Sequence, residues 1–171
     1  MYAITDGSAN ADGYFQTSGL PSGVSFPIVR SKLNDNSTLY KTTGVVSPTA
    51  NTVGWYIDLE DQYRININMA NNAGILYFVA NKTSSDSCAP SGTNRQYAVS
   101  YVKGRSLYSS AFIQSDNIAK FLVIYKNELT GEVRSVVSDD KGNLVKQPPP
   151  PPLGSDLAFR QLNWRDLPTA D

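Results

Sequence analysis

The sequence predicts an all-β fold, mostly an antiparallel meander. Ten tyrosines stand among many valines, isoleucines and threonines, the residues that fit a pleated, half-buried surface. Gly, Asn, Asp and Ser recur at short intervals and punctuate the chain as turns do. No segment sustains an apolar stripe at 3.6-residue spacing, so helices are not expected. A chain of 171 residues is long enough for one domain with a substantial core, or for a part of a larger one.

Alternation and turn residues give the elements in order. Strands are expected at Ser25–Ser31, Leu39–Val46, Val53–Leu59, Tyr63–Met69 and Ile75–Asn81, then at Gln96–Val102, Ser106–Phe112 and Phe121–Lys126. Val133–Ser138, Asn143–Gln147 and Ala158–Trp164 complete the set. Within the third strand, period two places Trp55, Ile57 and Leu59 on one face and Tyr56 and Asp58 on the other, which makes Trp55 a buried structural anchor. Asn71-Asn72-Ala73-Gly74 offers a tight turn, because asparagine and glycine tolerate positive φ. Lys126–Gly131 and Asp139–Asn143 read as further turns, giving the second half the pattern of a meander.

Five prolines, Pro148–Pro152, lack amide donors and favour polyproline II, so they interrupt any sheet. The chain accordingly divides into a β-rich module at 1–147, a proline-rich spacer at 148–153 and a C-terminal docking segment at 154–171. In the last, Leu162 and Trp164 are expected to face the body and Arg165 to pair outward with a carboxylate, so that Trp164 is a second structural anchor.

Fifteen basic and fifteen acidic residues give a formal charge of zero, which removes a broad electrostatic case for nucleic acid. Histidine is absent, and with it the usual general base at neutral pH and any histidine-based catalytic triad. Met1–Gly7 has no basic region followed by an apolar stretch and does not read as a secretory signal, and no apolar run is long enough to span a bilayer. Cys88 is the single cysteine; in its polar Ser-Asp-Ser-Cys-Ala-Pro loop it is either an unpaired surface thiol or half of a bridge to a partner outside this chain.

Asp6–Gly13 sets side-chain oxygens at alternate positions before a glycine, as calcium loops do. An EF-hand pattern begun at Ser8 needs an acid at its twelfth position, where Gly19 stands, so a solvated loop rich in Asx turns is the plainer reading and no cofactor is expected. Asp58, Glu60 and Asp61 cluster three carboxylates at a strand end, a pattern more often a solvated edge than a glycosidase pair. Neither a Gly-x-Ser-x-Gly elbow nor a phosphate-cradling loop occurs, and the chain is not expected to be an enzyme. Asn36-Ser37-Thr38 and Asn81-Lys82-Thr83 match glycosylation sequons, which matter only in a eukaryotic secretory host and otherwise simply place those asparagines in exposed turns. Tyr14, Phe15, Tyr40, Tyr56, Tyr63, Tyr101 and Tyr108 could form a recognition surface or pack across strands; Tyr14 and Phe15, flanked by glycine and polar residues, are the first candidates for a partner or receptor contact.

Gly54-Trp55-Tyr56-Ile57-Asp58-Leu59, then an apolar strand, Asp86-Ser87-Cys88, and Tyr97-Ala98-Val99 form one ordered set of landmarks. This set resembles the end of the C-terminal domain of the PilY/PilC family, the type IV pilus tip adhesins and assembly factors. Arg160-Gln161-Leu162-Asn163-Trp164-Arg165-Asp166-Leu167 is similar to the family's closing Arg-x-x-Ser-Trp-Arg-Glu-Leu, with Asn163 in place of serine and Asp166 in place of glutamate. The likeness covers roughly residues 54–104 and 133–167, and Tyr2–Asp6 looks like a strand of the family's propeller repeats. The family's Asp-x-Asp-x-Asp calcium run has no counterpart here.

The resemblance implies the C-terminal portion of a β-propeller-like domain, excised from a protein exported through the periplasm to the pilus tip or outer surface. It implies minor pilins or pilus tip proteins as partners, with a host or surface receptor beyond them, and roles in pilus assembly, surface adhesion and twitching motility. A carbohydrate-binding or phage receptor-binding β-domain is the alternative, which solvent-exposed coplanar tyrosines would favour.

Overall fold

Two nine-residue strands, β5 (Ile75–Thr83) and β6 (Gly92–Ser100), pair antiparallel over their whole length, from Ile75 opposite Ser100 to Thr83 opposite Gly92. The computed structural model describes residues 1–4, 29–40, 54–84, 91–101 and 104–150. β4 (Ala70–Asn72) and β7 (Ile113–Asp116) flank the central pair, giving a four-stranded antiparallel meander in the order β4-β5-β6-β7. β8 (Ala119–Lys126), β9 (Val133–Asp139) and β10 (Leu144–Lys146) form a second meander. β1 (Tyr2–Ile4), β2 (Asn34–Asp35) and β3 (Gly54–Tyr56) form a small third sheet, in which β1 runs antiparallel and β2 parallel to β3. The fold is all-β; among the described residues the only helical turns are the short 3-10 segments Arg30–Lys32 and Ser37–Tyr40.

Alternation along β5 sends Phe78 and Ala80 to one face and Ile75, Tyr77 and Val79 to the other, and both faces are buried. On the first, Phe78 and Ala80 join Tyr97 and Val99 of β6 and pack against Tyr40, Trp55, Ile57, Tyr63 and Ala111. The Phe78 and Tyr97 rings stack there, centroids 4.5 Å apart and 9° from parallel. On the second face, Ile75, Tyr77 and Ala98 meet Leu107, Tyr108, Leu122 and Ile124, while Val79 packs with Ala119 and Val137. The central meander is thus sandwiched between the small mixed sheet and the β8–β10 sheet. Double-sided burial explains why β5 reads as a nearly continuous apolar run, Ile-Leu-Tyr-Phe-Val-Ala.

Several expected elements fall differently. Ser106–Phe112 is not a strand: only Ser106 bridges, to Val99. The Ser106 hydroxyl donates to Ser110 O (2.8 Å) and accepts from the Tyr108 N–H (3.2 Å), and the Ser110 hydroxyl donates to Phe112 O (2.8 Å). Such local serine bonds compete with a ladder, and the strand begins later, at Ile113. Tyr63–Met69 keeps an alternating burial pattern but is bonded as a strand only where Arg64 and Asn81 exchange backbone bonds of 2.8 and 2.9 Å. The hairpin expected at 71–74 is present, yet its loop is the two residues Ala73 and Gly74, at φ 50° and 78°, and Asn71 and Asn72 belong to β4.

Arg30 and Ser31 lie in a 3-10 turn instead of a strand, with the Lys32 and Leu33 amides donating to Val29 O and Arg30 O. Leu39 and Tyr40 end the other 3-10 turn, which starts where Asp35 Oδ1 accepts the Ser37 N–H at 2.9 Å. The parts of those two expected strands at 25–28 and 41–46, and the strand at Ala158–Trp164, lie outside the described residues. The turns at 126–131 and 139–143 join β8 to β9 and β9 to β10 as expected.

Trp55 is 1 % exposed, and its indole N–H donates to Tyr101 O at 2.9 Å. Gly104, at φ +65°, closes over it. A Cβ there would stand 2.4 Å from the Trp55 ring and 2.5 Å from the Asn36 amide nitrogen, so only glycine suits both the conformation and the space. Gly104 O in turn accepts from the Tyr40 hydroxyl (2.6 Å) and the Asn36 amide (3.2 Å). Trp55→Ala is expected to cost about 3–5 kcal/mol by leaving a large cavity and orphaning Tyr101 O, measured as a lower urea midpoint. A Trp55→Ala protein that melts like the parent overturns the assignment of Trp55 as an anchor.

Candidate interaction surfaces

Three features outside the core can engage other groups: a cation–aromatic patch on the small sheet, an amide-rich seam with adjoining clefts, and the outer face of the last sheet. The patch is built on Arg30. The 3-10 turn Arg30–Lys32 lays its guanidinium 4.0 Å from the Tyr56 ring centroid and 6.0 Å from that of Tyr2, and Arg30 donates to the Tyr2 hydroxyl at 3.3 Å. Asp58, just beyond β3, completes it as the ion-pair partner of Arg30. Hydrogen bonding with Tyr56, and then with Asp58, holds the guanidinium charged even more firmly than an ordinary arginine. Tyr2 is 53 % exposed, so an amphipathic ring and a planar cation stand together at the surface, the side-chain types that dominate binding hot spots.

The seam stitches the central meander to the last sheet. Asn81, 4 % exposed, uses its side chain as a strand uses its backbone: its amide donates to Ala119 O at 2.9 Å and its carbonyl accepts the Ala119 N–H at 2.8 Å, while the amide also reaches Asn66 Oδ1 at 2.8 Å. Asn94, also buried, donates to Asn117 O at 3.0 Å, and Asn117 donates onward to Asp139 Oδ2 at 2.9 Å. The sequon asparagines Asn36 and Asn81 are therefore buried, not in exposed turns: Asn81 satisfies both backbone groups of Ala119, and Asn36 donates to Gly104 O beside the Tyr40 hydroxyl. Clefts of about 580 and 410 Å³ open beside the seam, the first lined by Gln62, Arg64, Asn66 and Asn81 and the second by Lys82, Thr93, Asp116 and Asn117. Gln62 and Asn117 at their rims adopt positive φ, 73° and 75°.

The outer face of the β8–β10 sheet is apolar. Alternation turns Leu122 and Ile124 inward and Phe121 and Val123 outward, 49 % and 48 % exposed, and the register sets them opposite Ser138 and Val136. Leu144 of β10, opposite Ser138, adds a third exposed apolar side chain at 62 %.

Of the residues singled out from sequence, Tyr14 and Phe15, the oxygen-rich loop Asp6–Gly13, Cys88 and Trp164 lie outside the described residues. Trp55 is in the core. Tyr40, Tyr63 and Tyr108 are buried and Tyr101 is exposed, while the Tyr2 and Tyr56 rings are tilted by 34° at 5.8 Å and are not coplanar. The carboxylates at 58 and 60 turn to different cations, Asp58 to Arg30 and Glu60 to Arg95 (2.6 Å). Arg95 is clamped between the rings of Tyr63 and Phe112, each 4.1 Å away. Among the described residues no group of three His, Cys, Asp or Glu side chains could hold a metal ion, and no helix is long and apolar enough to cross a membrane. Sequence reasoning missed Arg30 and the seam; Arg30 carried no local signal, whereas the density of asparagine near strand ends was visible and was read as turns.

No family model, curated protein or solved structure matches this chain.

Asp139 ends the seam as an acceptor for four donors: the Lys141 N–H (2.9 Å), the Asn143 N–H (2.8 Å), the Asn143 amide (2.8 Å) and the Asn117 amide (2.9 Å). These bonds, the Asn143 amide first, hold its carboxyl below the usual carboxylate range. A carboxyl with a folded pKa below its unfolded one contributes stability that is fully present above the unfolded value and lost as pH falls through the folded one. Urea midpoints are therefore expected to fall below about pH 4, and Asp139→Asn is expected to be less stable at pH 7 and to show a shallower acid-side fall. Parallel acid-side curves for the two proteins contradict this role.

Proposed function

We propose that this chain is a non-enzymatic recognition and assembly module of a type IV pilus tip protein of the PilY/PilC kind. It supports pilus assembly, surface adhesion and twitching motility from an extracellular position, at the pilus tip or outer surface, and its partners are minor pilins. The observation that carries this reading is the convergence of the resemblance's own residues. Trp55 comes from one part of the pattern and Tyr97 and Val99 from another some forty positions on, and all three pack in a single cluster. The four-stranded β4–β7 meander also has the strand count of a propeller blade, with the following meander packed on its face. The exposed Arg30–Tyr2 patch is the contact surface this function assigns to a pilin.

The test is binding of the purified chain to soluble minor-pilin domains from the same organism, by calorimetry, alongside disruption of the gene. Micromolar or tighter binding is expected, weakened about tenfold by Arg30→Ala with an unchanged melting temperature, together with fewer surface pili and reduced twitching. Absence of binding together with normal piliation overturns the proposal.

A further inference from the structure

We propose that the C-terminal segment 158–164 of this same chain covers the outer face of the β8–β10 sheet, with Leu162 and Trp164 seated on Phe121, Val123 and Leu144. The face is a ready-made hydrophobic seat: Phe121 and Val123 are neighbours along β8, and Leu144 stands beyond Ser138 in the same cross-strand row as Phe121. All three are about half exposed or more, whereas the opposite face of the same sheet is packed on the central meander. Clustered exposed apolar side chains on a sheet face call for a cover.

The chain itself supplies a tethered one. β10 is the last strand before the prolines, and the chain is still fixed to the sheet at Gln147, whose N–H donates to Ser135 O at 2.9 Å. Pro148–Pro152, at about 3.1 Å per residue, reach roughly 15 Å. Adjacent strands lie about 4.8 Å apart, so with residues 153–157 the segment can be laid across β10, β9 and β8. A short tether whose length matches the span makes docking intramolecular and raises the segment's effective concentration at the face. Alternation in Ala158-Phe159-Arg160-Gln161-Leu162-Asn163-Trp164 puts Leu162 and Trp164 on one side, spaced to meet two rows of the sheet. Residues 151–171 lie outside the described residues, so the cover is inferred from the seat, the tether and the pattern.

The test uses the full chain labelled with 5-fluorotryptophan, which gives two ¹⁹F resonances, that of Trp164 being identified by its loss in Trp164→Phe. The Trp164 resonance is expected away from the position of free fluorotryptophan and insensitive to exchange of H₂O for D₂O. Val123→Asp on β8, and independently Leu144→Ser on β10, are expected to move it to the free position while the Trp55 resonance stays in place, reporting an intact core. A Trp164 resonance already at the free position, or one unmoved by both substitutions, overturns the proposal. So does a full chain that is dimeric through this face with Trp164 exposed, which would assign the seat to a second copy.

Discussion

Everything in this molecule is arranged around the need to cover both faces of the β5–β6 hairpin. A two-stranded ribbon is marginal in water, and this one is apolar on both sides, with Phe78, Ala80, Tyr97 and Val99 to one side and Ile75, Tyr77, Val79 and Ala98 to the other. Two further layers close on it and bury both faces. The small mixed sheet delivers Trp55 and Ile57 to the first face, and the last meander delivers Leu122, Ile124 and Val137 to the second. The covering layers are themselves one-sided, which is why exposed Tyr2 and Arg30 lie on one flank and exposed Phe121, Val123 and Leu144 on the other.

Polar groups fix how the layers meet. Apolar burial is non-directional, and a sheet could slide on its neighbour at little cost in area. Asn81 removes that freedom, because its amide satisfies both backbone groups of Ala119 and a shift would break both bonds at a buried site. Gly104 does the same on the other side, fixing Trp55, Asn36 and Tyr40 to one loop. Charges, by contrast, work locally. Arg30–Asp58, Arg95–Glu60 and Arg134–Glu132 are each at least partly solvated pairs worth little as salt bridges, and stacking on Tyr56, or between Tyr63 and Phe112, is what orders the first two cations.

Sequence alone made the β class, the tight turn before β5 and the closing meander legible, since period-two alternation and Asn, Asp and Gly at turns act over a few residues. It also placed Trp55 with Ile57 on the face opposite Asp58. What it could not supply depended on partners distant in the chain. Asn81 and Asn94 look like turn residues until Ala119 and Asn117 arrive beside them. Ser106–Phe112 alternates like a strand, but its serines bond the local backbone, and the segment meets β6 only at its start, through the Ser106 bridge and the Leu107 N–H to Ala98 O. Arg30 sits in a stretch read as a strand, and nothing nearby announces Tyr56 as its stacking partner. The exposed side of β8 was equally hidden, because only the β8–β9 register and the packing of Leu122 and Ile124 decide which of its apolar residues face water.

If the doubly covered hairpin is the element on which both other layers rest, its amides can open only when the whole molecule does. Native-state hydrogen exchange measures this directly. The ladder amides of 75–83 and 92–100 are predicted to exchange with the full unfolding free energy, and those of β1–β3 and of β8–β10 at lower free energies, through openings that leave the hairpin intact. Hairpin amides that exchange as readily as those of β9 would contradict the account.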